Sequence, residues 1–421
     1  MQVRALLLAF ALFGAGCRSV SAPAAALVAP TESSLPPLPQ FVLRPAWEFP
    51  IKEKTDYWLG PFVTDLDQDG CDEVAVLVSP QFEPNGARVW LLSGRDGLPR
   101  GGKAHVLDFE RRRACHPQEG VSTLIDVGDT NGDGVTDFAV GVCGGVLFGR
   151  SGPTGVWLFS SDDWRPLRHW CSNEDSFGSC IAPVGDVNGD GQSDFAVTND
   201  YGPASVEVLS MSGDTRLWVK KLPIESGFIV DLIAIEDRDG DDLKELAVRV
   251  GGRWLAPTTL FVLAGRDGAV LWSRSGALPG EWDFVTVSDA GEVDDDGVPD
   301  LWAVISEPDL GFTRVELLSG RDGTTLRSAD RFQCSADEIK ACADLDGDGV
   351  NELVVPWWLE GEDSDGAIEV ISSRTLTSLC YFPCEEGVGV AALRMPHGLR
   401  LVTTGRSGSQ AFDLVRVEAG R

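Results

Sequence analysis

Residues Val184–Val197 read VGDVNGDGQSDFAV, and this stretch decides the fold. Asp186, Asn188, Asp190 and Asp194 stand at positions 1, 3, 5 and 9 of a short loop, with Gly191 at position 6. Side-chain oxygens at alternate positions converge when a chain curls tightly, and glycine allows the positive φ that such a curl requires. The carbonyl of Gln192, at position 7, adds a further oxygen. The set suits a hard cation. Five more loops carry the pattern. They are Asp65, Asp67, Asp69 and Glu73 in DLDQDGCDE, and Asp129, Asn131, Asp133 and Asp137 in DTNGDGVTD. Asp237, Asp239, Asp241 and Glu245 follow in DRDGDDLKE, then Glu292, Asp294, Asp296 and Asp300 in EVDDDGVPD. Asp344, Asp346, Asp348 and Glu352 complete the series in DLDGDGVNE.

An EF-hand loop closes on a bidentate Glu at position 12 and is flanked by helices. Here position 12 is Val76, Val140, Val197, Val248, Ala303 or Val355. Each loop runs instead into a short apolar run such as DEVAVLV, DFAVGV or ELVVPWW, which reads as a buried strand. Segments such as STLIDVG and DLIAIE read as strands before the loop. The unit is strand, cation loop, strand.

The loop starts are 64, 57, 51, 55 and 52 residues apart, a period that means a propeller or a solenoid. After each loop and its strand comes a third strand, a turn and a fourth strand. ARVWLLSGRDG, TLFVLAGRDGAVLW and RVELLSGRDGTTL are near copies of this half, and VEVLSMSGDTRLW and IEVISSRTLTSL are weaker ones. The Arg-Asp-Gly tip reads as a hairpin turn and carries no recognition role. Four strands per repeat match a propeller blade. After the sixth repeat, GVGVAALRM, LRLVTTG and QAFDLVRVE supply three more strands, and their connection around His397 has lost its acidic residues. FVLRPAWEFP, near the N-terminus, reads as the missing fourth strand. The expectation is an all-β, seven-bladed β-propeller of four-stranded antiparallel blades, closed by an N-terminal strand in the last blade.

Composition sets further bounds. A formal net charge of −30 argues against a nucleic-acid backbone or an anionic membrane surface as partner. Much of that charge sits in the loops, and six divalent ions would bring it to −18. Residues 1–17 read as an export signal: Arg4, the apolar run ALLLAFALFGAG, then Cys17. GAGC resembles a bacterial lipoprotein processing site, with Gly14 where that pattern carries Leu. Cys17 is then a lipid anchor and the only link to a membrane; the alternative is ordinary cleavage near the alanines at 22–26. Residues 18–42, rich in Ala, Pro and Ser, read as a tether, and residues 43–421 as the propeller. Nine cysteines remain after Cys17, an odd number in a compartment that permits disulfides. Cys171 with Cys180, or Cys380 with Cys384, would close short loops, and Cys71 is the expected unpaired thiol.

The repeated VGDxNGDGxxDFAV pattern, at residues 128–140 and 185–197, resembles the FG-GAP or VCBS repeat of integrin α-subunit N-terminal propellers and of many exported bacterial proteins. The resemblance spans roughly residues 43–421. It implies a seven-bladed propeller with calcium in the loops between first and second strands, up to six ions, and a protein or glycan ligand on the opposite face. The departures are Asp242 for Gly at position 6 of the fourth loop and Glu292 for Asp at position 1 of the fifth, which makes these two the least secure sites.

A plain Asx-rich turn accounts for one such loop but not for six in register. Calcium suits the varied oxygen donors better than magnesium, which prefers few protein ligands. His105, His116, His169 and His397 stand apart, and no HExxH, GxSxG or phosphate-cradling motif occurs, so no catalytic residue is assigned. The ligand face is expected at stretches such as residues 79–88, 144–155, 251–258 and 360–366, with a basic spot at residues 111–113. The functional expectation is an exported calcium-binding module for adhesion or binding at the cell envelope, as a lipoprotein or secreted. The alternatives are a polysaccharide lyase or hydrolase on the same propeller, and a scaffold subunit of an envelope complex.

Overall fold

The computed structural model describes residues 41–50, 57–66, 70–79, 88–107, 121–142, 154–172, 177–199, 204–223, 227–252, 258–276, 283–307, 312–332, 334–335, 339–359, 365–385, 389–395, 398–405 and 408–416. The export signal, Cys17, Asp67, Asp69, Cys115, His116, His397, the basic spot at 111–113 and most of each expected ligand-face stretch lie outside the described residues.

Among the described residues the chain is all-β, with one 3₁₀ turn at Arg100–Gly102. The strands form seven antiparallel sheets, the blades. Blade 1 is Tyr57–Thr64, Glu73–Ser79, Arg88–Ser93 and His105–Val106. Blade 2 is Val121–Asp126, Phe138–Val142, Thr154–Phe159 and Pro166–Ser172; blade 3 is Ile181–Gly185, Asp194–Asn199, Ser205–Leu209 and Arg216–Lys221. Blade 4 is Gly227–Ile235, Glu245–Gly252, Thr259–Leu263 and Val270–Ser275; blade 5 is Asp283–Gly291, Asp300–Glu307, Phe312–Leu318 and Thr325–Phe332. In blade 6 the first strand is split into Cys334–Ser335 and Lys340–Ala341, followed by Leu353–Leu359, Asp365–Ile371 and Ser378–Glu385. Blade 7 joins Gly389–Met395, Gly398–Gly405 and Gly408–Arg416 to Phe41–Pro50. The first strand of each blade touches that of the next, and blade 7 returns to blade 1, so the ring is closed.

The closing strand pairs Phe41 with Arg416 and Pro50 with Gly408. It begins at Phe41, inside the stretch that composition assigns to the tether. Blade 7 has no cation loop because its first hairpin is tight: Met395 pairs directly with Gly398.

Blade order explains the sequence pattern. Second and third strands lie between neighbouring blades and are buried on both faces, as in Phe138–Val142 and Thr154–Phe159. They therefore read as unbroken apolar runs, whereas an outer strand such as Arg216–Lys221 is half exposed. Alternate side chains of one strand serve different interfaces: Val74 and Val76 pack towards blade 7, while Ala75 packs towards blade 2. The core is thus a ring of blade-to-blade clusters.

One device recurs at these interfaces. The indole N–H groups of Trp47, Trp170, Trp218 and Trp272, on fourth strands, donate to the carbonyls of Gly94, Gly213, Gly265 and Gly320 in the next blade, at 3.0, 3.2, 2.8 and 2.7 Å. These carbonyls belong to the turns between third and fourth strands. In three of those turns a second glycine, Gly97, Gly268 or Gly323, lies at positive φ directly against the neighbour's indole, so close that a Cβ would sit within 2.9 Å of ring carbons. Blade 1 ends in His105 instead of a tryptophan. There the turn of blade 2 supplies the ring itself: Trp164 holds φ 57° at the glycine position and stacks on His105. Leu376 also holds this turn position at positive φ, 58°, in blade 6.

Cys171 is disulfide-bonded, while Cys71, Cys180, Cys342 and Cys380 keep their thiols. The short-loop pairings of Cys171 with Cys180 and of Cys380 with Cys384 are therefore not formed. The thiol expected at Cys71 is found.

Candidate metal centres

Each cation loop connects a first to a second strand, and its position-9 carboxylate opens the second strand or stands just before it. The loops are built by their own side chains. The position-1 carboxylate collects the backbone N–H groups of the curl. Asp186 accepts from Gly189 and Gly191 at 2.7 Å and from Asp190 at 3.0 Å. Asp129, Asp237 and Asp344 repeat this arrangement. Glu292, one methylene longer, accepts from Asp296 and Gly297, and Asp65 accepts from Gly70. Position 3 accepts the position-5 N–H, as Asn188 does from Asp190 at 2.8 Å, and position 5 accepts the position-7 N–H, as Asp190 does from Gln192 at 2.9 Å. These are Asx-turn bonds, and they fix the curl before any ion is considered.

Two positions need a left-handed backbone, not one. Gly189 and Gly191, at positions 4 and 6, hold φ 76° and 87°. Where the sequence departs from glycine the conformation is kept: Asp242 at position 6 of the fourth loop has φ 67°, and Asp295 at position 4 of the fifth has φ 64°. Asp is among the residues that tolerate this region, so the departures do not unmake these loops.

Position 9 is buried in all six loops: Glu73, Asp137, Asp194, Glu245, Asp300 and Glu352 are at most 2% exposed. One oxygen of each accepts the position-2 N–H, from Leu66, Thr130, Val187, Arg238, Val293 and Leu345, at 2.7 to 3.0 Å. The fate of the second oxygen depends on side-chain length. Asp194 and Asp300 turn it to backbone N–H groups of the third-to-fourth-strand turn, from Met211 at 3.2 Å and Gly320 at 3.0 Å. In Glu245 and Glu352 the second oxygen, Oε1, is buried without a hydrogen-bond donor. Burial, with the neighbouring acids adding to it, pushes both carboxyls up to about 7. Burial also raises Asp137, Asp194 and Asp300.

Among the described residues, carboxylates gather most closely in three loops. Asp237, Asp239, Asp241 and Glu245 bring one oxygen each within 4.8 Å of one another, as do Asp344, Asp346, Asp348 and Glu352. Glu292, Asp294 and Asp300 form the third group, without Asp296. The fourth and fifth loops, which sequence marks as least secure, are thus among the best assembled. Loops 2 and 3 place Asn131 and Asn188 among their acids, and in the first loop Asp65 and Glu73 are the described members. The donors are all oxygen, and a buried carboxylate oxygen lacking a donor is a place where a hard cation fits. Calcium would be held by the side chains at positions 1, 3, 5 and 9, and would supply the positive charge these acids lack.

Sequence reading missed the partner of position 5. Arg266 Nε donates to Asp241 Oδ2 at 2.6 Å and Arg321 Nε to Asp296 Oδ2 at 2.7 Å, while Arg374 Nε lies 3.7 Å from Asp348 Oδ2. These are the arginines at or matching the Arg-Asp-Gly tip. The bond from Arg321 holds Asp296 below the ordinary carboxylate range.

Residues 178–218, which cover blade 3 with its acidic loop as far as the middle of the fourth strand, match the family model of the FG-GAP repeat. The crystal structure of BBS1N in complex with ARL6DN, soaked with lead, is similar over 90% of this chain and 98% of that chain, with a TM-score of 0.55 and 11% identity. At that identity the likeness shows the fold. No curated protein matches the sequence.

Proposed function

We propose that this FG-GAP propeller is a calcium-stabilised binding or adhesion module of the cell envelope, exported and carried on a lipid at Cys17 or secreted. Its ligand is a protein or glycan on the face opposite the cation loops. A propeller fold is shared by unrelated functions, so the reading rests on the sites. The observation that carries it is the pair of buried, donorless oxygens of Glu245 and Glu352, each within a cluster of four carboxylates. Left without a cation, such groups oppose folding. Extracellular modules bind calcium with Kd of roughly 10⁻⁴ to 10⁻³ M. At about 1 mM calcium and a Kd near 0.1 mM, one site stabilises the fold by roughly 1.4 kcal/mol.

The partner side of the proposal rests on the resemblance of the repeats to integrin-type propellers. For the envelope, the support is the apolar run before Cys17. Among the described residues no helix is long and apolar enough to cross a membrane.

Calorimetric titration of calcium into chelator-stripped protein tests the metal directly. Saturable heat and a raised Tm are expected, and the absence of both refutes the metal reading. Glycan and protein arrays, with and without calcium, test the ligand. Glycan turnover in place of retention would replace the binding role by the lyase or hydrolase one. Cys17→Ser should move the protein out of the membrane fraction, and an unchanged distribution would refute the anchor.

A further inference from the structure

The six loops differ in one systematic way. In loops 2 and 3, position 3 is Asn131 or Asn188; in the other four it is an aspartate. The third-to-fourth-strand turn of the same blade differs in step. Its third residue is arginine wherever position 3 is aspartate: Arg95, Arg266, Arg321 and Arg374. Where position 3 is asparagine, that residue is Asp162 or Ser212. In the fourth, fifth and sixth loops the arginine is seen on its carboxylate. Nε meets the position-5 Oδ2, and in Arg266 and Arg321 the Nη2 group also reaches the backbone carbonyl of the same aspartate, at 3.4 and 3.0 Å. The other oxygen, Oδ1, is occupied by the position-7 N–H of Leu243, Val298 or Val350, at 2.8 to 2.9 Å. In blade 3 neutral donors take the arginine's place: the hydroxyls of Ser210 and Ser212 and the amide of Asn188 hold Asp190.

We infer that Arg266, Arg321 and Arg374 are built-in cations that offset the fourth carboxylate of their loops. With Arg266 counted, the four acids of the fourth loop leave a formal −3, which the three acids of the third loop leave without an arginine. Asparagine at position 3 and arginine in the turn are two routes to one site charge. The arginine is then a determinant of metal affinity, and it also keeps the metal-free loop from repelling itself open. This rests on the metal reading above, but the two are separable by experiment. An exposed arginine–carboxylate pair that only braces the surface contributes little. Loss of such a brace would leave calcium binding unchanged or weaker, whereas loss of a compensating cation leaves it tighter, since a cation beside a calcium site weakens the site.

The test uses the full-length protein carrying Arg266→Gln, Arg321→Gln and Arg374→Gln together, melted in chelator and across a calcium titration. The expected result is a pair of opposite changes. Tm falls in chelator, because uncompensated carboxylates repel, while calcium binds the three altered loops roughly fivefold more tightly. Adding Asp239→Asn, Asp294→Asn and Asp346→Asn restores the chelator Tm and the original affinity. The single substitution Asn188→Asp, in a loop with no arginine, reproduces both changes. Replacing the three arginines by lysine keeps the chelator Tm. An unchanged chelator Tm in the glutamine variant overturns the inference. So does failure of the asparagine substitutions to restore it, or an equal loss with and without calcium at an unmoved calcium midpoint. A wild-type Tm indifferent to calcium refutes the metal reading alone; restoration in chelator involves no metal and still decides whether the arginines compensate charge.

Discussion

The contact between Trp272 and Gly323 makes the blade-to-blade lock quantitative. Trp272 is 7% exposed and donates to the Gly320 carbonyl at 2.7 Å. Trp272→Ala removes a buried indole and this bond, at a cost of about 3–5 kcal/mol. Gly323→Ala places a Cβ 2.7 Å from Trp272 Cε3 at φ 73°. Two penalties then combine, about 1–2 kcal/mol for the left-handed backbone and about 1–3 kcal/mol for overpacking against the ring. With the tryptophan already absent, the second penalty disappears. The double variant should therefore be more stable than the sum of the single losses by about 1–3 kcal/mol. Gly128→Ala is the control: its φ is 75° and nothing lies within 4 Å of an added Cβ, so it should show the backbone cost alone and no coupling to Trp272. Urea midpoints at fixed calcium read all of these. Additive losses for Gly323→Ala and Trp272→Ala would refute the claim that ring and turn are packed against each other.

Three further outcomes are expected. In chelator, Glu245 and Glu352 have folded-state pKa values raised to about 7, so their ionisation opposes folding; stability should be highest near pH 4.5, fall as pH rises towards 7, and lose this dependence in saturating calcium, as Tm against pH will show. Arg238, whose side chain is 1% exposed, bridges to Asp289 of blade 5 at 2.8 Å, so Arg238→Gln should destabilise by about 3–5 kcal/mol in urea unfolding, and a change under 1 kcal/mol would contradict the burial argument. Removing residues 41–50 should expose the edge of blade 7 and lower both Tm and solubility, and unchanged light scattering would contradict ring closure by that strand.

The blades and their number were legible because their signals are local. Second strands such as Asp194–Asn199 are buried on both faces and read as apolar runs, and the loops repeat one spacing. Ring closure was legible because blade 7 visibly lacks a strand that FVLRPAWEFP supplies. What the sequence hid lies across blades or across strands. The indole of Trp218 meets Gly265, 47 residues away, and Arg266 meets Asp241, 25 residues away; each pair recurs from blade to blade, but no strand or loop pattern says that its two members face each other. Trp164 is hidden for another reason: at that turn position a glycine is expected, and only the absence of a tryptophan on the preceding strand explains a bulky residue at φ 57°. What the two departures do to their loops was not legible: Asp242 keeps the left-handed backbone of the glycine it replaces, and Glu292 still accepts the N–H groups of Asp296 and Gly297.

The seam in blade 7 also has a mechanical consequence. Phe41 and Arg416, where the chain enters and leaves the ring, are paired directly, at one end of the antiparallel ladder that runs to Pro50 and Gly408. A pull that separates the segments flanking these two residues loads the Phe41–Arg416 pair first, then each following pair in turn. The ladder peels open like a zipper instead of sharing the load in shear, and such a pull meets little resistance. Tension applied through the N-terminal segment alone, against a partner gripping the blades, has a different geometry: it draws Phe41–Pro50 lengthwise along Gly408–Arg416, so the paired residues resist together. The ring is therefore weak against stretching between its own ends and strong when held by one end.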